Sequence, residues 1–115
     1  MIFERGDVVF VLFPNSDLRT AKKRPVIIIQ SDHLATGLQQ HVVAMISSNL
    51  DRANHASRVL VHLDTTEGKN SGLLTNSVIM TDNIATIRDG ELDRKLGKIK
   101  NMIRIDEALY HTLGL

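Results

Sequence analysis

The feature that most constrains the fold is a series of short aliphatic runs, rich in β-branched residues and separated by polar segments. They lie at 7–13, 25–30, 41–47 and 58–63, with two shorter ones at 76–80 and 84–87. Val and Ile favour pleated strands because their branched side chains have few rotamers elsewhere. The run at 58–63 alternates polar and apolar residues, whereas the first three are mostly apolar on both faces. Strands that are apolar on both faces predict a strongly curved sheet or a small barrel.

The C-terminal region has a different pattern. Residues 91–96 are predicted to form a short helix that ends at Gly97. Asn101 is a suitable cap for a last helix, along which apolar residues recur at helical spacing. These residues are Met102, Ile105, Leu109 and Leu113. The stripe is predicted to pack on the sheet, so residues 1–115 form a single, mainly β (α+β) domain with a C-terminal helix.

Composition excludes several classes of protein. The chain has no cysteine, so it has no disulfide framework and no thiolate chemistry. Its five histidines lack metal-ligand spacing, and we expect no metal or other cofactor. Aromatic residues make up only 3%, which argues against an aromatic platform for stacking nucleic-acid bases. No apolar run suits a membrane helix and no export signal is recognisable, so a cytoplasmic protein is expected.

A local concentration of positive charge interrupts a nearly neutral chain of net charge +1. Arg19, Lys22, Lys23 and Arg24 fall within the segment 14–24, which is predicted to be a long loop, and no acid lies among them. Arg24 precedes Pro25, which stiffens the chain at that point. An arginine fork can hold a phosphate through two hydrogen bonds, although a basic loop is more commonly just a solvated surface.

Polar residues at two other positions are candidates for chemistry. Ser47, Ser48 and Asn49 follow the third aliphatic run, where a hydroxyl could donate to a phosphate oxygen or simply stabilise a turn. Asp82 lies between two short aliphatic runs. A carboxylate there could accept a proton or orient an arginine, and it could equally be a turn residue.

Five fragments follow one another in order along almost the whole chain. They are Arg-Gly-Asp-Val-Val at 5–9, Lys-Arg-Pro and four aliphatic residues at 23–29, an aliphatic run ending in Ser at 42–48, Ser-Val-Ile through Ile-Ala-Thr-Ile at 77–87, and Leu-Gly-Lys-Ile at 96–99 before Asp-Glu-Ala-Leu at 106–109. In this order and spacing they resemble the MazF/PemK/Kid toxins of bacterial type II toxin–antitoxin modules.

The resemblance implies an SH3-like small β-barrel of about five to seven strands with a C-terminal helix. It implies a homodimer, and a metal-independent endoribonuclease that cuts single-stranded RNA through a 2′,3′-cyclic phosphate. A cognate antitoxin is the implied protein partner. On matching positions Arg24 is the catalytic arginine, Ser47 replaces a catalytic Thr, and Asp82 is a candidate base. The predicted RNA contacts around them are Arg19, Lys22, Lys23, Ser48 and Asn49.

The chain departs from the family pattern at two places. Segment 15–21 contains no glycine, where relatives often have a glycine-rich loop, so the RNA sequence that is cut does not carry over. Met80 stands where some relatives have an arginine that helps to protonate the leaving group, which leaves the general acid unassigned. Two alternatives stay open: a non-enzymatic gyrase poison like CcdB, acting through residues near Tyr110 to Leu115, and a catalytically degenerate relative that only binds an antitoxin.

Overall fold

The computed structural model describes residues 2–14 and 17–115, which form one six-stranded antiparallel sheet and two α-helices. The elements in chain order are β1 (Asp7–Pro14), β2 (Ala21–Ile28), β3 (Gln40–Ser47), β4 (Arg58–Val61), α1 (Thr66–Ser71), β5 (Ser77–Arg88), β6 (Leu92–Lys98) and α2 (Ile103–Leu113). The strand order is β4-β5-β3-β2-β1-β6. Neither helix in this described part has the length and apolar character that crossing a bilayer requires.

The mainly β fold with a C-terminal helix is confirmed, but the sheet is not closed into a barrel. Within the described residues it ends at β4 on one side and at β6 on the other. Helix α1 follows β4 and packs against β6 instead, so a helix occupies the interval between the two edge strands. Glycines permit this close approach: a Cβ at Gly72 would lie 2.0 Å from the Leu96 carbonyl oxygen, and one at Gly97 would lie 2.3 Å from that of Asn70.

A register shift bends the longest strand, β5. Met45 of β3 is opposite Met80, but the adjacent Ala44 is opposite Ile84, so residues 81–83 have no partner on β3. An insertion of this kind increases the local bend and twist of the sheet. The two strands predicted at 76–80 and 84–87 are therefore two halves of one bent strand.

Burial on both faces of the central strands is confirmed. Val9, Val26 and Val43 enter one buried cluster, which Phe3 and Leu92 complete. The alternate positions of the same strands enter a second cluster, which α2 covers through Ile105 and Ala108. The predicted stripe of α2 packs as expected at Met102, Ile105 and Leu109, whereas Leu113 near its end is 56% exposed.

Two boundaries predicted from sequence are wrong. Strand β2 begins at Ala21, so the three cations that precede Pro25 lie in a strand and not in a loop. Pairing with β1 across Leu12 overrides the low strand propensity of the lysines. The predicted helix at 91–96 is strand β6, which pairs with β1. Its charged residues are typical of an edge strand that must not pair with another chain. Asn101 does accept a hydrogen bond from the Ile103 N–H, although α2 begins at Ile103 itself.

Candidate functional site

Arg24 of β2 and Ser47 of β3 lie just beyond the last paired residues of these two strands. The ladder pairs Val26 with Met45 and Ile28 with Val43, and the same register continued by two residues would set Arg24 across from Ser47. Both side chains are half-buried. Opposed residues on antiparallel strands share a face of the sheet, with Cβ atoms about 4.5–5.5 Å apart where the ladder continues. Arg24 and Ser47 thus lie where the pairing between β2 and β3 ends.

A cavity of about 440 Å³ opens beside this pair, and both residues line it. Its polar lining consists mainly of cations and hydroxyls: Lys22, Lys23, Arg24, Arg94, Ser47, Ser48, Thr75 and Ser77. Its apolar lining includes Phe10, Leu73, Leu74 and Leu96. No carboxylate or imidazole is found among the described residues that line it. The cavity is therefore electropositive and fits an anionic group with an apolar attachment.

The predicted cations divide between the cavity and the surface. Lys22 and Lys23 line the cavity, but the Lys23 Nζ lies 2.9 Å from a carboxylate oxygen of Asp93 on β6. This contact lowers the pKa of Asp93 and partly neutralises the lysine. Arg19 does not line the cavity. It sits in a turn where the Asp17 carboxylate accepts hydrogen bonds from the Arg19 and Thr20 N–H groups, which lowers the pKa of Asp17.

The residues after β3 have local partners as well as access to the cavity. The Ser47 Oγ accepts a hydrogen bond of 3.1 Å from the Asn49 N–H, which leaves its own O–H available to donate. The Asn49 side chain accepts from the Asp51 N–H and so caps a 3₁₀ turn at Leu50–Arg52. Ser48 lines the cavity, whereas Asn49 does not. Ser47 and Ser48 are thus the hydroxyls placed to meet a ligand.

The structure separates Asp82 from this cavity. Val78 is opposite Ser47, and Asp82 lies four residues beyond Val78, roughly 13 Å along the strand. Its two carboxylate oxygens accept hydrogen bonds of 2.8 and 2.7 Å from Nε and Nη2 of Arg58. Arg58 holds the pKa of Asp82 below its ordinary value, which makes the carboxylate a weaker base. The nearby Met80 is buried, and its sulfur accepts a hydrogen bond from Arg52.

Arg94 is a cavity residue that the sequence interpretation missed. It lies on β6, and its Cζ is 5.6 Å from the centre of the Phe10 ring on β1. A helix at 91–96 would have placed it away from β1, so its inclusion depends on the strand assignment. Residues 92–96 are two leucines separated by three charged residues, without alternation of apolar and polar positions, so the local pattern offered no signal for this strand. The predicted departure in the first loop includes Asn15 and Ser16, which lie outside the described residues.

Metal-ligating side chains do not converge within the described ranges 2–14 and 17–115, where no group of three or more His, Asp or Glu residues could hold an ion. The chemistry available at the cavity is therefore that of guanidinium, ammonium and hydroxyl donors acting on an anion.

The sequence profile of the PemK-like, MazF-like toxins of type II toxin–antitoxin systems matches residues 4–113. The chain is 31% identical to endoribonuclease EndoA of Bacillus subtilis over 118 residues, covering 100% of this chain and 97% of that protein. It is 30% identical to endoribonuclease MazF6 of Mycobacterium tuberculosis over 119 residues, covering 100% of both.

A solved structure of similar fold is a mycobacterial endoribonuclease in complex with its cognate antitoxin. The TM-score is 0.77 at 21% sequence identity, with 99% of this chain and 97% of that chain covered. This likeness extends the sequence comparison to the whole arrangement of strands and helices.

Proposed function

Since the chain belongs to the PemK-like, MazF-like toxin family of type II toxin–antitoxin systems, we propose that it is a metal-independent endoribonuclease that cleaves single-stranded RNA. Its full-length relatives EndoA and MazF6 are endoribonucleases, which supports the proposal. The observation that carries it is that Arg24 and Ser47 line the same electropositive cavity.

The proposed reaction is attack of a ribose 2′-oxygen on the adjacent phosphorus. The 2′-O–P bond forms, the P–O5′ bond breaks, and the products are a 2′,3′-cyclic phosphate and a 5′-hydroxyl. The 2′-hydroxyl gives up one proton and the leaving oxygen gains one. Two guanidinium donors of Arg24 and the Ser47 hydroxyl would hold the phosphate oxygens as negative charge grows on them. Removing one such donor typically costs about 100- to 1,000-fold in rate.

Proton transfer in this proposal has no dedicated carboxylate. Asp82 is engaged by Arg58 outside the cavity, so we leave it out of the catalytic group. Among the described residues, the cavity lining offers only cations, hydroxyls and apolar groups. Stabilisation of the pentavalent phosphorus by Arg24 and Ser47 therefore supplies most of the rate enhancement, with water as the proton carrier.

We also propose a cognate antitoxin as partner and a homodimer as the working form, in the cytoplasm where messenger RNA is found. The related mycobacterial endoribonuclease was solved with its cognate antitoxin, which supports the first part. An acidic segment of such a partner would complement the cations Lys22, Arg24 and Arg94 and compete with RNA for the cavity.

The test is cleavage of a long single-stranded RNA in excess EDTA by the purified protein. The unmodified chain should produce fragments with 2′,3′-cyclic phosphate ends, and Arg24→Ala should cut roughly 100- to 1,000-fold more slowly. Lys100→Ala, at an exposed lysine outside the cavity, is the matched control and should cut normally. Equal cutting by Arg24→Ala would refute the assignment. Growth arrest without any cutting would favour the non-enzymatic poison.

A further inference from the structure

The guanidinium of Arg94 lies over an aromatic ring at the edge of the cavity. Its Cζ is 5.6 Å from the centroid of Phe10, within the range of a cation–π contact. Phe10 itself is half-buried on β1, so its ring is a fixed support. The two side chains come from neighbouring strands, β1 and β6, and line the same cavity as Arg24 and Ser47.

Arg94 differs from Arg58 in its surroundings. Within the described residues the Arg94 side chain makes no hydrogen bond or ion pair, and it contacts the ring of Phe10. Arg58, by contrast, donates to the Asp82 carboxylate and to the Arg52 carbonyl. Arg94 is also exposed. Its planar face and its donors are thus available to a ligand in the cavity.

Leucines line the same cavity as the Arg94–Phe10 pair. Leu73 and Leu96 pack on the second core cluster, while the adjacent Leu74 is 89% exposed. Gly72, at φ +73°, approaches the Leu96 carbonyl more closely than any other residue type would allow. We call the part of the cavity lined by Phe10, Arg94 and Leu74 the slot.

We propose that this slot, formed by Phe10, Arg94 and Leu74, binds one unpaired nucleobase next to the phosphate held by Arg24 and Ser47. The inference rests on the proposed function and names a subsite for it. Unstacked RNA bases stack on aromatic rings and on guanidinium planes, and the apolar side chain of Leu74 excludes water from the base. A chain with few aromatic residues thus obtains a stacking surface by placing an arginine on a phenylalanine.

The experiment uses RNA that lacks one base, protein that lacks the Arg94 guanidinium, and the two in combination. Once the cleavage site has been mapped on a long RNA, oligonucleotides with an abasic ribose at each position flanking that site are compared with the intact oligonucleotide. Arg94→Lys keeps the charge and loses the plane. It should raise KM about tenfold, the effect of losing one stacked base, and change kcat by less than about twofold.

At one position, an abasic ribose should raise the KM of the unmodified protein by a similar factor. The same abasic ribose should not raise the KM of Arg94→Lys any further. Arg88→Lys is the matched control, because Arg88 is exposed, pairs with Glu91 and lies outside the cavity. Leu74→Ser, at a side chain too exposed to affect folding, should show a smaller loss that depends on the same position. If the increases in KM caused by Arg94→Lys and by the abasic ribose multiply at every position, the two changes act independently, and the proposal is overturned.

Failure of the proposed function is recognised separately. If the unmodified protein cuts no RNA, single-stranded oligonucleotides with one abasic ribose at each position in turn are measured with the same variants by equilibrium binding. If at no position the abasic ribose and Arg94→Lys weaken binding non-additively, the proposed base site is overturned. If Arg94→Lys weakens capture of an acidic antitoxin peptide but leaves RNA binding and cleavage unchanged, the slot serves the protein partner and not a base.

Discussion

The two strands that flank the β3–β5 pair each carry an arginine, Arg58 on β4 and Arg24 on β2, and the two arginines lie in different surroundings. Arg58 is bound through Nε and Nη2 to both oxygens of Asp82 and through Nη1 to the Arg52 carbonyl. Arg24 lines a cavity whose described walls contain cations and hydroxyls but no carboxylate. Arg58 is thus held in an internal ion pair, whereas Arg24 contributes positive charge to a cavity that can take a ligand.

The difference shows that the groups surrounding each guanidinium, and not the residue type alone, decide what an arginine contributes. A bidentate carboxylate satisfies the guanidinium fork and leaves little to recruit an external anion. A cation-lined cavity raises the local potential and attracts one. We therefore expect substitutions at Arg24 to affect RNA cleavage, and substitutions at Arg58 to affect stability.

The largest expected effect is this separation of activity from stability. Arg58→Ala should lower the free energy of unfolding by about 1 kcal/mol, because Asp82 loses its partner but is partly exposed, and should leave cleavage within about twofold. Arg24→Ala should slow cleavage roughly 100- to 1,000-fold, a much larger loss than that of Arg58→Ala. Urea denaturation and RNA cleavage measured on both variants make the comparison. A large loss of cleavage in Arg58→Ala would show that the Arg58–Asp82 pair and the cavity are functionally coupled.

The candidate residues Arg24 and Ser47 could be predicted from sequence, because both adjoin recognisable strand patterns. Arg24 precedes a proline and an aliphatic run, and Ser47 ends another, so the pattern alone singles out both residues, although Arg24 lies within β2 and not before it. Their placement beside the same cavity could not be predicted in that way. It depends on the β2–β3 register, which side-chain packing and the connecting loop determine together.

Arg94 and Asp82 show what local patterns leave out. Segment 91–96 has the composition of a short helix, and only pairing with β1 makes it a strand and brings Arg94 onto Phe10. Asp82 looks like a candidate base until Arg58, 24 residues earlier in the chain, is seen to hold it. Both outcomes result from long-range contacts, which override local preference.

A smaller effect is expected from the Ser47 hydroxyl, which shares the cavity with Arg24. Ser47→Ala removes one neutral donor and should slow cleavage roughly tenfold to 100-fold, less than the loss of the guanidinium. Ser47→Thr keeps the hydroxyl and should retain most of the activity. Ser48→Ala, at the neighbouring hydroxyl that also lines the cavity, should slow cleavage less than Ser47→Ala, because Ser48 lies beyond the end of β3. If Ser48→Ala costs more than Ser47→Ala, the register argument for the Arg24–Ser47 pair is wrong.

The smallest effect concerns how the stability contributed by the Arg58–Asp82 pair depends on pH. Arg58 lowers the pKa of Asp82 in the folded chain, so the pair stabilises the fold above the ordinary pKa of an aspartate and the contribution is lost as the pH falls through the lowered value. Asp82→Asn should therefore be less stable than the parent by about 0.5–1 kcal/mol at pH 7, with a gap that narrows below about pH 4. Urea denaturation across this range measures the gap. Asp64→Asn, at an exposed aspartate without an ion pair in the described part of the chain, should follow the parent throughout. A gap that persists undiminished at low pH would mean that Asp82 stabilises the bend at 81–83 by backbone geometry and not by its charge.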